Sequence, residues 1–388
     1  TYTTATYHDD EKGKLAMTFA NPTSGTITEL AWSGKLKAYA VFSAELTGAQ
    51  ETGFEALIKG IYPEIESTTI GSQVWATRNF EAVATPMGNA IANVTANGAV
   101  EKVPILDLTD GWASEGGASI IGANSFSNTT PNRGVYKTGL TSKKWYKFNI
   151  HFSTTASSLD LKPTGGGIVY LPGIISGTNY YFKTTIGGVI ICNIGTGTTV
   201  ITSLSIQELN WSNATEIYDH VYAATSGTAA EKEYAALKEA AMWCYYNNSA
   251  DNGAIYGKLY NWYAAKLLDL DMVSAGFGWR VPTNADFNTL ATTLGGASVA
   301  GGKMKMTGID YWLTPNEGAT NESGFTVLGA GFRTESGNSQ NINVRTPILA
   351  LTGQPLVLQS GSSAVTINGS IVASNVLRGF SIRLIKST

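Results

Sequence analysis

Apolar and polar residues alternate with a period of two through the middle of the chain. The segments Tyr146-Lys-Phe-Asn-Ile-His-Phe, Gly167-Ile-Val-Tyr-Leu, Asn179-Tyr-Tyr-Phe-Lys-Thr, Val189-Ile-Ile-Cys-Asn-Ile and Leu204-Ser-Ile-Gln-Glu-Leu each read as a short strand. Gly, Asn, Ser and Thr fill the intervals, so the stretch from about 107 to 209 predicts an antiparallel sandwich. Thr1 to Tyr7 is a further strand candidate, rich in Thr and Tyr.

Elsewhere the period is helical. From Thr228 to Trp243 the chain is dense in Ala, Glu, Lys and Leu, with Glu231, Lys232, Glu233, Lys238 and Glu239 marking a wet face. Phe54, Leu57, Ile58 and Ile61 recur at helical spacing between Thr47, a potential cap, and Pro63, a stop. In Gly278-Trp-Arg-Val-Pro-Thr, Trp279 and Val281 alternate toward a core, Pro282 ends the strand and Thr283 is placed to cap a helix from Asn284, with Asp286 completing a capping box. Arg280 suits a buried carboxylate. Tyr256, Tyr260, Trp262 and Tyr263 have the faces of a sugar-stacking platform but the spacing of a helical core, and core is the reading taken.

Composition narrows the class. Charged residues make up 14% of the 388 and the net charge is −3, with no Lys/Arg run, which argues against nucleic acid as a partner. The longest apolar runs fall far short of the roughly 20 residues of a membrane helix, so no membrane insertion is expected. Thr1 implies that an initiator Met or a leader has been removed. Cys192 and Cys244 fall in different predicted domains and read as buried free thiols.

Five ordered motifs then carry a resemblance. They are Tyr256-Gly-Lys-Leu-Tyr-Asn-Trp-Tyr, Gly278-Trp-Arg-Val-Pro-Thr-Asn-Ala-Asp-Phe, Gly301-Gly-Lys-Met-Lys-Met-Thr-Gly, Tyr311-Trp-Leu-Thr-Pro-Asn-Glu-Gly-Ala-Thr-Asn-Glu-Ser-Gly-Phe and Arg378-Gly-Phe-Ser-Ile-Arg-Leu. This succession resembles the Fibrobacter succinogenes major paralogous domain of Bacteroidota surface proteins and their phages, a C-type-lectin-like, formylglycine-generating-enzyme-like fold. The family's opening strand and Trp are matched at Thr69-Ile-Gly-Ser-Gln-Val-Trp, about 120 residues earlier than expected. The intervening sandwich is similar to phage jelly-roll domains of the carbohydrate-binding-module type.

The expected fold class is therefore α+β and β-rich: a C-type-lectin-like domain interrupted by an antiparallel β-sandwich (jelly-roll) insertion. The expected domains are an N-terminal attachment or oligomerisation segment (1–66), the first part of the lectin-like domain (67–105), the inserted jelly-roll (106–210) and the remainder of the lectin-like domain (211–388). A spliced sandwich with neighbouring termini leaves its host core intact.

The resemblance implies binding, with no enzyme activity. The paired redox cysteines of formylglycine-generating enzymes have no counterpart here, and His8, His151 and His220 are scattered. Asp269 and Asp271 read as solvated at a helix end, so they make no facing carboxylate pair of the glycosidase kind. Calcium is held by carboxylate and amide oxygens in C-type lectins, near the place taken here by Asn316-Glu317 and Asn321-Glu322; the reading taken is that these residues tie loops by hydrogen bonds, with no cofactor and calcium as the alternative.

Ligand surfaces in such folds are built late in the chain, which points to residues 331–377. The candidate ligand-binding residues are Arg333, Asn338, Asn341, Asn343, Arg345, Gln354, Gln359, Asn368 and Asn375, side chains that make adaptable hydrogen bonds. Expected partners are a host-surface glycan or protein and other virion or fibre subunits, with a homotrimer as the assembly to test. The expected place is the virion surface, as a phage tail-fibre or receptor-binding protein. A Bacteroidota cell-surface or pilus-tip adhesin and a structural virion decoration protein are the alternatives.

Overall fold

In the computed structural model, residues 65–95, 100–103, 106–164, 169–185, 187–352, 354–367 and 376–387 are described, together with the backbone of four short N-terminal strands. Of those four, Ala5–Asp9 pairs antiparallel with Leu15–Phe19, and Leu30–Ala31 with Tyr39–Ala40. The helix expected over 47–63 lies outside the described residues. The rest divides into two compact units, one of which is discontinuous: Thr1–Thr95 joins Ser226–Thr388, while Ala96–Thr225 forms the other.

Ala96–Thr225 is an antiparallel β-sandwich. One sheet runs in the order Ala118–Gly122, Ser125–Asn128, Gly197–Glu208, Trp145–Thr154, Asn179–Lys183, with Val100–Glu101 also pairing to Gly197–Glu208. The other has the order Ser158–Pro163, Gly188–Ile194, Gly134–Thr138, Ala113–Ser114. Alternation explains the packing: Tyr146, Phe148 and Ile150 point inward from one long strand and share a core with Leu159, Leu161, Val189 and Ile191. Of the strand expected over 167–171, the described part makes a single bridge, Leu171 to Leu161.

Beyond the last strand the sandwich unit keeps a helix, Ala214–Ala224. It lies on the outward face of the larger sheet, where Glu216 accepts hydrogen bonds from Lys147 (2.8 Å) and Tyr181 (2.7 Å), and His220 packs edge-on against Trp145. The unit boundaries therefore fall at 95/96 and 225/226, against an expectation of 105/106 and 210/211.

In the discontinuous unit, residues 67–76 meet the end of the chain. A four-stranded sheet has the order Trp279–Arg280, Ile385–Lys386, Gln73–Ala76, Ser67–Ile70. A three-stranded sheet sets Met242–Cys244 between Leu259–Tyr260 and Ala92–Asn93. Helices Ala229–Ala240, Trp262–Ser274, Asn284–Thr293 and Ala297–Met304 surround these sheets. The predicted cap of Thr283 with Asp286 forms with its reciprocal bond, and Thr228 with Glu231, where the sequence marks only a wet face, makes a second capping box. Tyr256, Tyr260 and Tyr263 are buried and Trp262 is half-buried, but they stand on a helix (Ala250–Tyr256), a strand (Leu259–Tyr260) and a second helix (Trp262–Ser274), so the core reading holds without the single helix behind it. Val281 is fully enclosed while Trp279 is half-buried.

Arg280 forms a two-pronged pair with Asp286, with both bonds at 2.7 Å. Burial alone would raise the Asp286 carboxyl, but the Arg280 and Thr283 hydrogen bonds outweigh it and hold the group below the usual carboxylate range. A depressed carboxylate stabilises the fold above its unfolded value, near pH 4, and loses that contribution as pH falls through the lower folded value. Urea midpoints taken from pH 5 down to pH 2.5 should therefore converge between the parent and Asp286→Asn. A constant gap across that range would refute this assignment.

Asp269 and Asp271 correct the expectation of solvated carboxylates. Asp271 is fully buried and accepts from Tyr234 (2.7 Å), Asn89 (2.7 Å) and Thr85. Burial and this carboxylate push the Tyr234 hydroxyl up to about 12. Asp269 accepts from the Val281 amide at 3.1 Å, and burial raises its pKa. Both lie in the helix Trp262–Ser274, whose inward face extends through its last turns, so position near a helix end did not place them in water.

Candidate functional site

Two antiparallel hairpins supply the late-chain surface. Ala330–Arg333 pairs with Ser339–Ile342, and Arg345–Ile348 with Leu356–Gln359. Asn341 and Asn343 take left-handed backbone at φ 62° and 59°, where Asn is tolerated far better than most residues, and so turn the first hairpin into the second.

The candidate residues separate by environment. Arg333 is 1% exposed and donates to the carbonyls of Val94 (2.8 Å) and Thr95 (3.5 Å), so it fastens the hairpin to the early part of the chain and faces no solvent. Asn343 accepts from the Tyr256 hydroxyl at 2.6 Å and is half-buried. Gln354 is half-buried, and its carbonyl accepts from Asn284 at 2.9 Å. Asn338, Asn341 and Gln359 are exposed, and Asn338 sits in a tight turn bonded to Thr334 (3.1 Å). Asn368 and Asn375 lie outside the described residues.

Arg345 is the remaining candidate. Its guanidinium carbon lies 5.7 Å from the centre of the Phe332 ring, and its Nε is buried without a hydrogen-bond partner. Burial lowers its pKa, and the neighbouring Arg378 charge lowers it further. Arg378 pairs with Glu335 at 2.9 Å. Gln359 sits directly across the hairpin from Arg345, and Gln340 directly across from Phe332. Phe332, Glu335, Gln340 and Arg378 were not singled out in the sequence. Arg378 stands in a quoted motif, but only strand pairing brings it to this corner.

Lys305 holds the loops behind the hairpins. It is fully buried at the end of the helix Ala297–Met304 and donates 2.9 Å bonds to the carbonyls of Glu317, Gln359 and Ser362. Burial pushes its ammonium down to about 8. All three of its protons are used, so it ties the loop at Glu317 and the turn from Gln359 to Ser362 to the end of its own helix.

The same lysine bears on calcium. Asn316 donates through its amide nitrogen to the carbonyls of Met306 (3.0 Å) and Gly308 (2.7 Å), and Asn321 bonds the Thr326 amide at 2.9 Å; both tie loops, as their motif suggests. Asn316 Oδ1 is buried without a partner, but it is one oxygen where calcium takes six to eight. The Lys305 ammonium already holds the Glu317 carbonyl, and no group of three or more His, Cys, Asp or Glu converges among the described residues. These residues do not fit a calcium ion. Burial raises the thiol pKa of both Cys192 and Cys244, which keeps them protonated and poorly nucleophilic.

No curated protein matches the chain. Among solved structures, it is similar to the CBM22-1–GH10 modules of Clostridium thermocellum xylanase 10B complexed with xylohexaose, at 12% identity and a TM-score of 0.21, covering 30% of each chain. It is also similar to the CBM22-1 xylan-binding domain of Paenibacillus barcinonensis Xyn10C, at 12% identity and a TM-score of 0.19, covering 31% of this chain and 97% of that one. Over residues 207–386, just under half of the chain, the sequence matches the Fibrobacter succinogenes major domain, the family its ordered motifs resemble.

Proposed function

We propose that this chain is a non-enzymatic, surface-displayed binding protein that recognises an envelope glycan through the two hairpins of residues 330–359. The observation that carries the reading is the contrast within that surface. Asn338, Gln340, Asn341 and Gln359 are exposed, while Arg333 and Lys305 beneath them are buried and donate to backbone carbonyls. Adaptable polar side chains on an immobilised scaffold bind with little ordering cost. The fold assignment within this reading is a C-type-lectin-like unit, closed by the pairing of Gln73–Ala76 with Ile385–Lys386, and a jelly-roll sandwich. Display on a virion, as part of a tail fibre, is the setting proposed. A Bacteroidota adhesin would use the same surface chemistry in a different place.

The test is a glycan array probed with the purified chain. Reproducible binding to one glycan class, lost on combined alanine substitution of Gln340 and Gln359, is expected. Silence across the array overturns the glycan reading.

A protein partner is the second reading, and one feature favours it. Ile309 (67% exposed), Leu313 (52%) and Val344 (36%) are bare apolar side chains, and the Leu313 amide bonds the Asn343 carbonyl at 2.7 Å, which places two of them side by side. A pair of exposed apolar residues brought close together suits a subunit contact better than a sugar. Sedimentation of the chain at rising concentration would reveal a trimer or other oligomer under this reading.

A further inference from the structure

Arginines in this chain follow one rule with one exception. Arg78, Arg133, Arg280 and Arg378 each face a carboxylate, at 3.0, 3.5, 2.7 and 2.9 Å respectively. Arg333 and Arg383 are buried and donate to backbone carbonyls. Arg345 has neither kind of partner among the described residues. Its guanidinium lies over Phe332, its Nε is enclosed and unbonded, and the nearby Arg378 is already matched to Glu335.

A half-buried guanidinium without an acceptor is costly to the free protein. Contact with the face of the Phe332 ring restrains the guanidinium, whose planar fork suits a planar oxyanion. At this corner two guanidinium groups face one carboxylate, so an excess positive charge remains. Gln359 and Gln340 flank the fork as exposed hydrogen-bonding groups on the paired strands.

We infer that Arg345, backed by Phe332 and Arg378 and flanked by Gln359 and Gln340, is the anchor for a carboxylate carried on an acidic polysaccharide, such as a uronic-acid polymer. The carboxylate takes the two outer edges of the fork while neighbouring hydroxyls meet the two glutamines. This rests on the proposal that the hairpin surface binds a glycan, and names the glycan's chemistry.

Calorimetric titration of the full chain tests it with three probes: polygalacturonate, its methyl ester and inorganic phosphate. Polygalacturonate is expected to bind, with an affinity that falls as salt rises. The methyl ester, which lacks the charge, should bind at least tenfold more weakly. Arg345→Met should lose at least tenfold in polygalacturonate affinity while its Tm is no lower than the parent's, because an unmatched half-buried charge has been removed. Arg345→Lys restores charge without the fork and should recover only part of the affinity.

A Tm several degrees lower in Arg345→Met would mean a structural role and overturn the inference. So would equal binding of the polymer and its ester, or phosphate binding at Arg345 where polygalacturonate does not bind. Neutral glycans bound without regard to Arg345 would overturn it while leaving the hairpin surface a glycan site. An array silent to every glycan would remove both.

Discussion

Trp75→Ala is expected to destabilise the discontinuous unit by about 3–5 kcal/mol, the range for removing a fully enclosed large aromatic from a packed core. Trp75 is 0% exposed, stacks on Phe287 at 5.5 Å and meets Phe325 edge-on at 5.4 Å. It is also the residue at which the opening and closing strands join, since it pairs with Thr68 on one side and Ile385 on the other. The loss combines an emptied cavity with two forfeited ring contacts. Urea denaturation of the full chain measures it. A shift below about 1 kcal/mol would mean that the core relaxes into the space, contrary to the close packing described.

Arg383→Ala should be comparably damaging, at about 3–5 kcal/mol, because a fully buried hub of charge-assisted bonds is dismantled. Its guanidinium donates to the carbonyls of Ala76, Phe325 and Thr326 and to Asn79, and lies 4.9 Å over the Phe325 ring. Burial pushes its pKa down to about 9, so the fold tolerates the charge only because those oxygens surround it. Alanine leaves several buried acceptors unmatched. Lysine should fail to rescue, since one ammonium cannot reach oxygens arranged for a planar fork. Rescue by lysine would show that charge alone, without the fork, holds these loops. The contrast with Arg345→Met is informative: two arginines of one unit are predicted to differ in sign because one is matched internally and the other is not.

Much of the local structure was legible because local chemistry decides it. Thr283 with Asp286 announces a helix start through groups three residues apart, and that cap forms; Thr228 with Glu231 has the same spacing and also caps, though the sequence reading marks only the wet face of its helix. Period-two alternation placed Tyr146, Phe148 and Ile150 inside the sandwich. The motif order at 256–263, 278–287 and 311–325 was enough to indicate the family matched over 207–386. Asp271 was misjudged for an equally physical reason. Its three hydrogen-bond donors, Thr85, Asn89 and Tyr234, lie 37 to 186 positions away, and no local pattern signals that they converge.

The candidate site shows the same division. The family resemblance pointed to residues 331–377, and a reading by polar composition then treated their Arg, Asn and Gln members alike. Only tertiary structure separated Arg333, enclosed and bonded to Val94, from Arg345, half-buried and unmatched, although the two side chains are chemically identical. By itself the sequence determined strand and helix periodicity, a helix cap and the ordered motifs that match a family model over the later part, all carried by near neighbours along the chain. The tertiary structure decided where the two units divide, which carboxylates are buried and which guanidinium has a buried Nε and no acceptor among the described residues, because burial and hydrogen-bond matching depend on partners far apart in sequence.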